Sequence, residues 1–119
     1  MIIDDTPMVR EMLRRVLASL GYENVKQAGN GREALKILDD KANKVELIFL
    51  DIVMPVMDGR ETLKKIREKD KNVVIVMLTS VADKEVYLEC KKEGINDYIL
   101  KPINAANGAD ILSKILNKL

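Results

Sequence analysis

Short apolar runs alternate along the chain with longer stretches in which apolar residues recur at helical spacing. The first run, Ile2-Ile3, is followed by an amphipathic stretch from Met8 to Leu20, which predicts a strand and then a helix. Thr6 is placed to cap that helix, Pro7 suits its first position, and Gly21 suits its end. The chain therefore begins with a predicted β-α unit.

The same alternation continues through four further strand-helix units. The predicted strands cover residues 25–28, 45–50, 73–78 and 98–100, and the helices after them are marked by apolar residues within 34–38, 63–66, 86–90 and 111–116. The strand at 45–50 is apolar apart from Glu46, which is typical of a strand covered on both faces. We therefore predict an α/β fold: a doubly wound parallel sheet of five strands with helices on both faces.

Both ends of the pattern are irregular. Asn107-Gly108 lies where the last helix should already have begun, so a delayed or broken start is expected within residues 104–110. At the other end, the three residues Met1 to Ile3 span only about 10 Å, which is short for a strand inside a sheet. We expect either that the natural N-terminus has been trimmed or altered, or that the protein tolerates a shortened central strand at some cost in stability.

The composition indicates one ordinary globular domain over residues 1–119, because 119 residues leave little room for a second core. Hydrophobic residues make up 47% and charged residues 33%, which is enough apolar material to bury a core. The formal net charge of +1 produces no strong field towards nucleic acid or an anionic membrane. We therefore predict neither direct nucleic-acid binding nor membrane binding.

Two residue types limit the chemistry. Cys90 is the only cysteine, so an intramolecular disulfide is impossible, and a reducing, cytoplasmic location is expected. The chain contains no histidine, which excludes Ser-His-Asp catalysis and a self-phosphorylated histidine. Any function that needs a histidine within this sequence is therefore excluded.

Polar residues stand where four of the predicted strands end. They are Asp4 and Asp5 after the first strand, Asp51 after the third, Thr79 after the fourth and Lys101 after the fifth. The carboxyl ends of parallel strands lie at one edge of the sheet, and ligands bind there. These side chains are therefore expected to form one site.

The motifs that carry these residues are IIDD at 2–5, LDIVMPVMDG at 50–59, LTS at 78–80 and YILKP at 98–102. In this order the chain resembles a response-regulator receiver domain of two-component signalling over essentially its whole length. The resemblance implies a flavodoxin-like (CheY-like) three-layer sandwich with strand order 2-1-3-4-5. Asp58-Gly59 is interpreted as a structural turn rather than part of the site.

Three neighbouring carboxylates require a cation, and oxygen ligands favour a hard one, so Mg²⁺ is the expected cofactor, with Mn²⁺ as a possible replacement. The resemblance implies that Asp5 is a direct ligand and that Asp4 acts largely through water. Asp51 and the backbone carbonyl of Val53 would complete the protein ligands.

The resemblance also implies the phosphoryl chemistry. Asp51 would be the phosphoacceptor, with Lys101, the Thr79 hydroxyl and the Ser80 backbone N–H contacting the phosphoryl oxygens. Thr79 and Tyr98 would form the switch. The phosphoryl donor would be a sensor histidine kinase or a histidine phosphotransfer protein acting in trans.

The downstream protein partner would bind the face formed by the fourth helix, fifth strand and fifth helix. The resemblance also implies that the positions two residues after Asp51 and Thr79 flank the attacking water. Here they are the apolar Val53 and Val81, so slow hydrolysis of the acyl phosphate is expected. On this interpretation the protein is no turnover enzyme and catalyses only its own phosphorylation and dephosphorylation.

Two alternatives remain open. A phosphohydrolase of the haloacid dehalogenase type uses similar residues, but it needs a second acid where this chain has Val53. A degenerate receiver that binds partners without ever carrying phosphate is the other.

Overall fold

The computed structural model of the protein describes residues 1–118, and within that range five strands alternate with five helices. All strands pair in parallel, in the order β2-β1-β3-β4-β5, which confirms the predicted doubly wound sheet. The elements are β1 (Ile2–Ile3), α1 (Pro7–Ser19), β2 (Gln27–Ala28), α2 (Gly31–Asp39), β3 (Leu47–Leu50), α3 (Gly59–Lys69), β4 (Val74–Thr79), α4 (Lys84–Glu93), β5 (Asp97–Leu100) and α5 (Ala105–Leu116).

The sheet separates two apolar layers. Ile2 and Phe49 point into one layer, with α1 and α5, whereas Ile3 and Leu50 point into the other, with α2, α3 and α4. Because successive strand residues face opposite layers and both layers are buried, the strands read as nearly continuous apolar runs. In the described range, the helices are all too short or too polar to cross a membrane.

β1 is short although it lies between two neighbours. Ile2 is paired with Gln27 and Phe49, and Ile3 is paired with Ala28 and Leu50. At the opposite end of the sheet from the acidic residues lies an open cavity of about 570 Å³. Its apolar lining includes Met1, Val25, Leu47, Phe49 and Val74.

The predicted late start of the last helix is wrong, because α5 begins at Ala105. Asn104 and Asn107 form a reciprocal capping box, in which each side chain accepts a hydrogen bond from the other residue's backbone N–H. Gly108 lies inside the helix, where a Cβ would be only 3.2 Å from Cγ2 of Val16. The residues that suggested an interruption therefore begin the helix and let it approach α1 closely.

The predicted position of Thr6 at the start of α1 is confirmed, but its expected role as a side-chain cap is wrong. Thr6 occupies the N-cap position of α1, but its side chain makes no capping hydrogen bond. Its backbone N–H instead donates to Oδ1 of Asp4 at 2.9 Å. Asp58, interpreted as structural, accepts a hydrogen bond from the N–H of Glu61 and caps α3.

Candidate functional site

The acidic residues meet because β1 and β3 are neighbours in the sheet. Ile3 is paired with Leu50, so Asp4 and Asp51, the next residue on each chain segment, lie side by side. One carboxylate oxygen from each of Asp4, Asp5 and Asp51 lies within 4.8 Å of the other two. The predicted cluster is therefore present at the carboxyl edge of the sheet.

Asp4 is firmly held and almost completely buried, with 2% of its surface exposed. Its N–H donates to the carbonyl oxygen of Ala28, at 3.0 Å. Its carboxylate accepts hydrogen bonds from the Thr6 N–H and, at 2.9 Å, from Nζ of Lys101. The Asp5 side chain, in contrast, is exposed at the mouth of the site.

Asp51 is also buried, with 6% of its surface exposed. Its Oδ1 accepts a hydrogen bond from the N–H of Ile52 at 2.7 Å, and its Oδ2 lies 3.2 Å from Nζ of Lys101. The start of α3 packs against the Asp51 backbone at Gly59, where a Cβ would lie 2.0 Å from the Asp51 carbonyl oxygen. Only glycine fits at that position without displacing Asp51.

Lys101 brings a positive charge between two of the three carboxylates. Its backbone N–H donates to the Thr79 carbonyl oxygen, and the Lys101-Pro102 peptide bond is cis. Burial alone would lower the pKa of the Lys101 ammonium, but the hydrogen bond and the charge of Asp4, together with Asp51, raise it above its ordinary value. Lys101 therefore stays charged at neutral pH.

The cluster fits a divalent cation. Of the three clustered carboxylates, Asp4 and Asp51 share the single ammonium group of Lys101, so the ionised cluster keeps an excess of negative charge. All the clustered ligand atoms are oxygens, which suits Mg²⁺ better than a softer metal. Asp4, Asp5 and Asp51 could therefore bind a metal ion.

Thr79 and Tyr98 both contact the backbone of Val81. The Thr79 hydroxyl, fully buried, accepts a hydrogen bond from the Val81 N–H at 3.3 Å, while the Tyr98 hydroxyl donates to the Val81 carbonyl. The Tyr98 ring also packs edge-on against Tyr87, with centroids 5.3 Å apart. Burial raises the pKa of Tyr98, so its hydroxyl remains protonated as a donor. Ser80, which lies between Thr79 and Val81 in the chain, is exposed.

Two residues near the acids were not anticipated from the sequence. Nη1 of Arg10 donates to the backbone carbonyl of Asp4 at 2.6 Å, and Nε of Arg10 donates to Oε1 of Gln27 at 3.3 Å. A hydrogen bond to a main-chain carbonyl leaves no trace in the residue pattern. Only the position of Arg10 on the first turns of the helix after the acidic pair could have suggested it.

Comparison with known proteins gives one consistent family. The response regulator receiver domain profile matches residues 1–113. Chemotaxis protein CheY of Thermotoga maritima is 32% identical over 115 residues, covering 97% of this chain and 94% of the relative. Chemotaxis protein CheY-3 of Vibrio cholerae is 35% identical over 121 residues, covering 100% and 92%.

Solved structures agree with the sequence relatives. A CheY-like response regulator receiver domain protein from Methanospirillum hungatei superposes with a TM-score of 0.87 at 30% identity, covering 98% of this chain and 89% of that chain. CheY in a CheX-CheY complex from Borrelia burgdorferi, solved with BeF₃ and Mg²⁺, has a TM-score of 0.87 at 27% identity, covering 98% and 85%. The chain therefore belongs to the response regulator receiver domain family, the signalling modules of two-component systems.

Proposed function

We propose that Asp51 accepts a phosphoryl group in trans from the phosphohistidine of a sensor histidine kinase or a histidine phosphotransfer protein. The observation that carries the proposal is the pairing of the buried Asp51 carboxylate with Lys101, beside the Asp4-Asp5 pair. A buried carboxylate paired with the Lys101 ammonium group, with the exposed Asp5 carboxylate nearby, suits phosphoryl transfer. That reaction depends on positioning and charge neutralisation.

In the proposed step, a carboxylate oxygen of Asp51 attacks the phosphorus atom in line. The new O–P bond forms as the P–N bond to the donor imidazole breaks, and the imidazole leaves with the electron pair of that bond. Asp5, Asp51 and the carbonyl of Val53 would hold Mg²⁺ or Mn²⁺, with Asp4 in support through water. Bound Mg²⁺ would neutralise charge on the transferring group.

The phosphoryl oxygens would find partners already near Asp51. Nζ of Lys101, 3.2 Å from Oδ2 of Asp51, needs little movement to pair with one of them. The Thr79 hydroxyl and the Ser80 N–H lie at the end of the adjacent strand β4 and are proposed as the other two donors. Each residue in this set therefore has one role in holding the product.

The switch would pass through Val81. A Thr79 hydroxyl that turns towards the phosphoryl group must weaken its present contact with the Val81 N–H, and Tyr98 holds the carbonyl of the same residue. We expect the β4–α4 loop and Tyr98 to move together. The face formed by α4, β5 and α5 is then the surface offered to a downstream protein, and it exposes Leu88 and Leu100. A cytoplasmic location is part of this proposal.

The test is phosphorylation by a small phosphodonor such as acetyl phosphate with Mg²⁺, followed by intact-mass measurement. The wild type should gain one phosphoryl group, Asp51→Asn should gain none, and removal of Mg²⁺ with EDTA should prevent the adduct. Asp40→Asn, which changes an exposed aspartate, is the matched control and should behave as wild type.

No adduct on the wild type would reject phosphoacceptance and favour a binding module that never carries phosphate. An unchanged adduct on Asp51→Asn would reject the assignment of Asp51. Steady release of inorganic phosphate from a phosphomonoester would favour the haloacid dehalogenase alternative.

A further inference from the structure

Arg10 joins the acidic pair to strand β2. Its guanidinium donates through Nη1 to the backbone carbonyl of Asp4 and through Nε to the side-chain carbonyl of Gln27. The group also packs beside Gly29, where a Cβ would lie 3.4 Å from Nη1. Arg10 is therefore held from two sides in a fixed orientation.

The carbonyl that accepts from Arg10 belongs to the peptide bond between Asp4 and Asp5. A peptide unit is planar, so a hydrogen bond to that oxygen fixes the direction in which the chain leaves towards Asp5. The Asp5 side chain is exposed, so the direction of the backbone is the main restraint on where its carboxylate can lie. The Asp4 N–H and both carboxylate oxygens are already bonded to Ala28, Thr6 and Lys101.

Both acceptors of Arg10 are uncharged, so these bonds orient the guanidinium without neutralising it. A planar fork can bond two fixed acceptors at once, which the single ammonium of lysine cannot match in the same geometry. The positive charge itself works in the opposite direction, because it repels a cation bound by the neighbouring acids. Orientation and charge therefore predict effects of opposite sign on metal affinity.

We infer that Arg10 is a positioning residue for the metal site: its hydrogen bond to the Asp4 carbonyl holds the Asp5 carboxylate towards Asp51, where both can bind one divalent cation. The inference rests on the proposed function, since it requires that the acidic cluster bind Mg²⁺ or Mn²⁺. It assigns a role to a side chain that makes no hydrogen bond or ion pair with a carboxylate of residues 1–118, and it makes Gln27 the residue that keeps Arg10 in place.

The test is a titration with Mn²⁺ followed by the EPR signal of the free ion, repeated with Mg²⁺ as competitor. Arg10→Ala should weaken metal binding about tenfold, the size expected when a supporting partner of a metal ligand is lost. Arg10→Lys should restore little of the loss, although it keeps the charge. Gln27→Met, which keeps the arginine side chain and its bond to Asp4 but removes its second acceptor, should give a smaller loss.

The matched control is Arg15→Ala, which removes the same charge from the same helix but from a side chain that pairs with Glu11 on the surface. It should leave the metal affinity unchanged. Urea unfolding without metal measures stability separately, so weaker metal binding by a folded variant cannot be explained by loss of structure.

Unchanged or tighter binding by Arg10→Ala would overturn the inference, and tighter binding would assign Arg10 only a repulsive charge. Full recovery in Arg10→Lys would also overturn it, because charge would then suffice. If the wild type binds neither Mn²⁺ nor Mg²⁺, both the inference and the metal part of the proposed function fail. If the wild type binds and only the arginine prediction fails, the proposed function stands.

Discussion

The hydroxyl of Tyr98 lies 2.5 Å from the carbonyl oxygen of Val81, a residue 17 positions earlier in the chain. The N–H of Val81 is in turn bonded to the Thr79 hydroxyl. One residue of the β4–α4 loop is thus held at both of its backbone polar groups by the two proposed switch residues. A change at either side chain therefore alters how firmly the Val81 backbone is held and, through Val81, affects the other side chain.

Tyr98→Phe keeps the ring against Tyr87 but removes the hydrogen bond to Val81. The free energy of unfolding should fall by about 1 kcal/mol, the usual value of one such bond. Urea unfolding measures this loss, and the yield of phosphoryl adduct should not change. Tyr22→Phe, at an exposed tyrosine, is the control. Equal stabilities for Tyr98→Phe and wild type would contradict the contribution assigned to the hydroxyl.

Lys101→Met should destabilise the metal-free protein by about 2 kcal/mol, because it leaves the buried Asp4 and Asp51 carboxylates facing each other without a cation. This value is reduced from that of a fully buried pair, since 20% of the Lys101 side chain is exposed. Urea unfolding with and without Mg²⁺ measures the effect, and Mg²⁺ should recover part of the loss.

The control for that variant is Lys118→Met, because Lys118 pairs with Asp97 at the surface and should contribute less than about 1 kcal/mol. Equal losses in the two variants would refute the special role given to Lys101. A Lys101→Met protein that Mg²⁺ does not stabilise would contradict the charge argument.

Hydrolysis of the acyl phosphate should be slow, with a half-life of minutes or longer. The Val53 side chain, 62% exposed, offers no polar atom to hold an attacking water, and the backbone polar groups of Val81 are already bonded. The decay of the adduct by intact mass after removal of the phosphodonor measures the half-life. Val53→Asn should shorten it, and a wild-type half-life of seconds would refute the expectation.

Val56→Asn should stabilise the protein by about 1 kcal/mol, because Val56 is a β-branched residue with φ of 69°. Asparagine adopts this backbone conformation more readily, and Val56 is 70% exposed, so little packing is lost. Val53→Asn, at the other exposed valine of this loop, controls for polarity and should not stabilise. Thermal unfolding of the two variants compares them directly.

Two or three β-branched apolar residues added before Met1 should raise the melting temperature. They would continue the pairing of β1 with β2 and β3 and would fill part of the cavity beside Met1. An extension of equal length made of glycine and serine is the control and should have little effect. Equal melting temperatures for the protein with and without the apolar extension would refute the idea that the short first strand lowers stability.

The residue pattern was sufficient to predict the layers of the fold and the position of the acids at one edge of the sheet. Both follow from apolar runs that end at Asp4, Asp51 and Thr79, because parallel strands end at one edge. Strand order could not be obtained from periodicity, since the inner strands β1, β3 and β4 are all buried on both faces and read alike. It came from the family resemblance.

The features that the residue pattern did not predict are hydrogen bonds between side chains and the backbone. Asn104 and Asn107 can either interrupt a helix or cap one, and their own backbone geometry decides between these outcomes. The bonds from Arg10 to the Asp4 carbonyl and from Tyr98 to the Val81 carbonyl involve groups that every residue possesses. Such bonds depend on distance in the fold and have no sequence pattern of their own.

β1 has only two residues, yet two of the three clustered acids follow it directly, and the third follows β3. A cation held by Asp5 and Asp51 would therefore act as a removable cross-link between this two-residue strand and the central strand of the sheet. Hydrogen exchange at the amides of Ile2 and Ile3 would then slow as the metal concentration rises. A metal ion proposed to prepare the site for phosphoryl transfer would then also set how often the first strand opens.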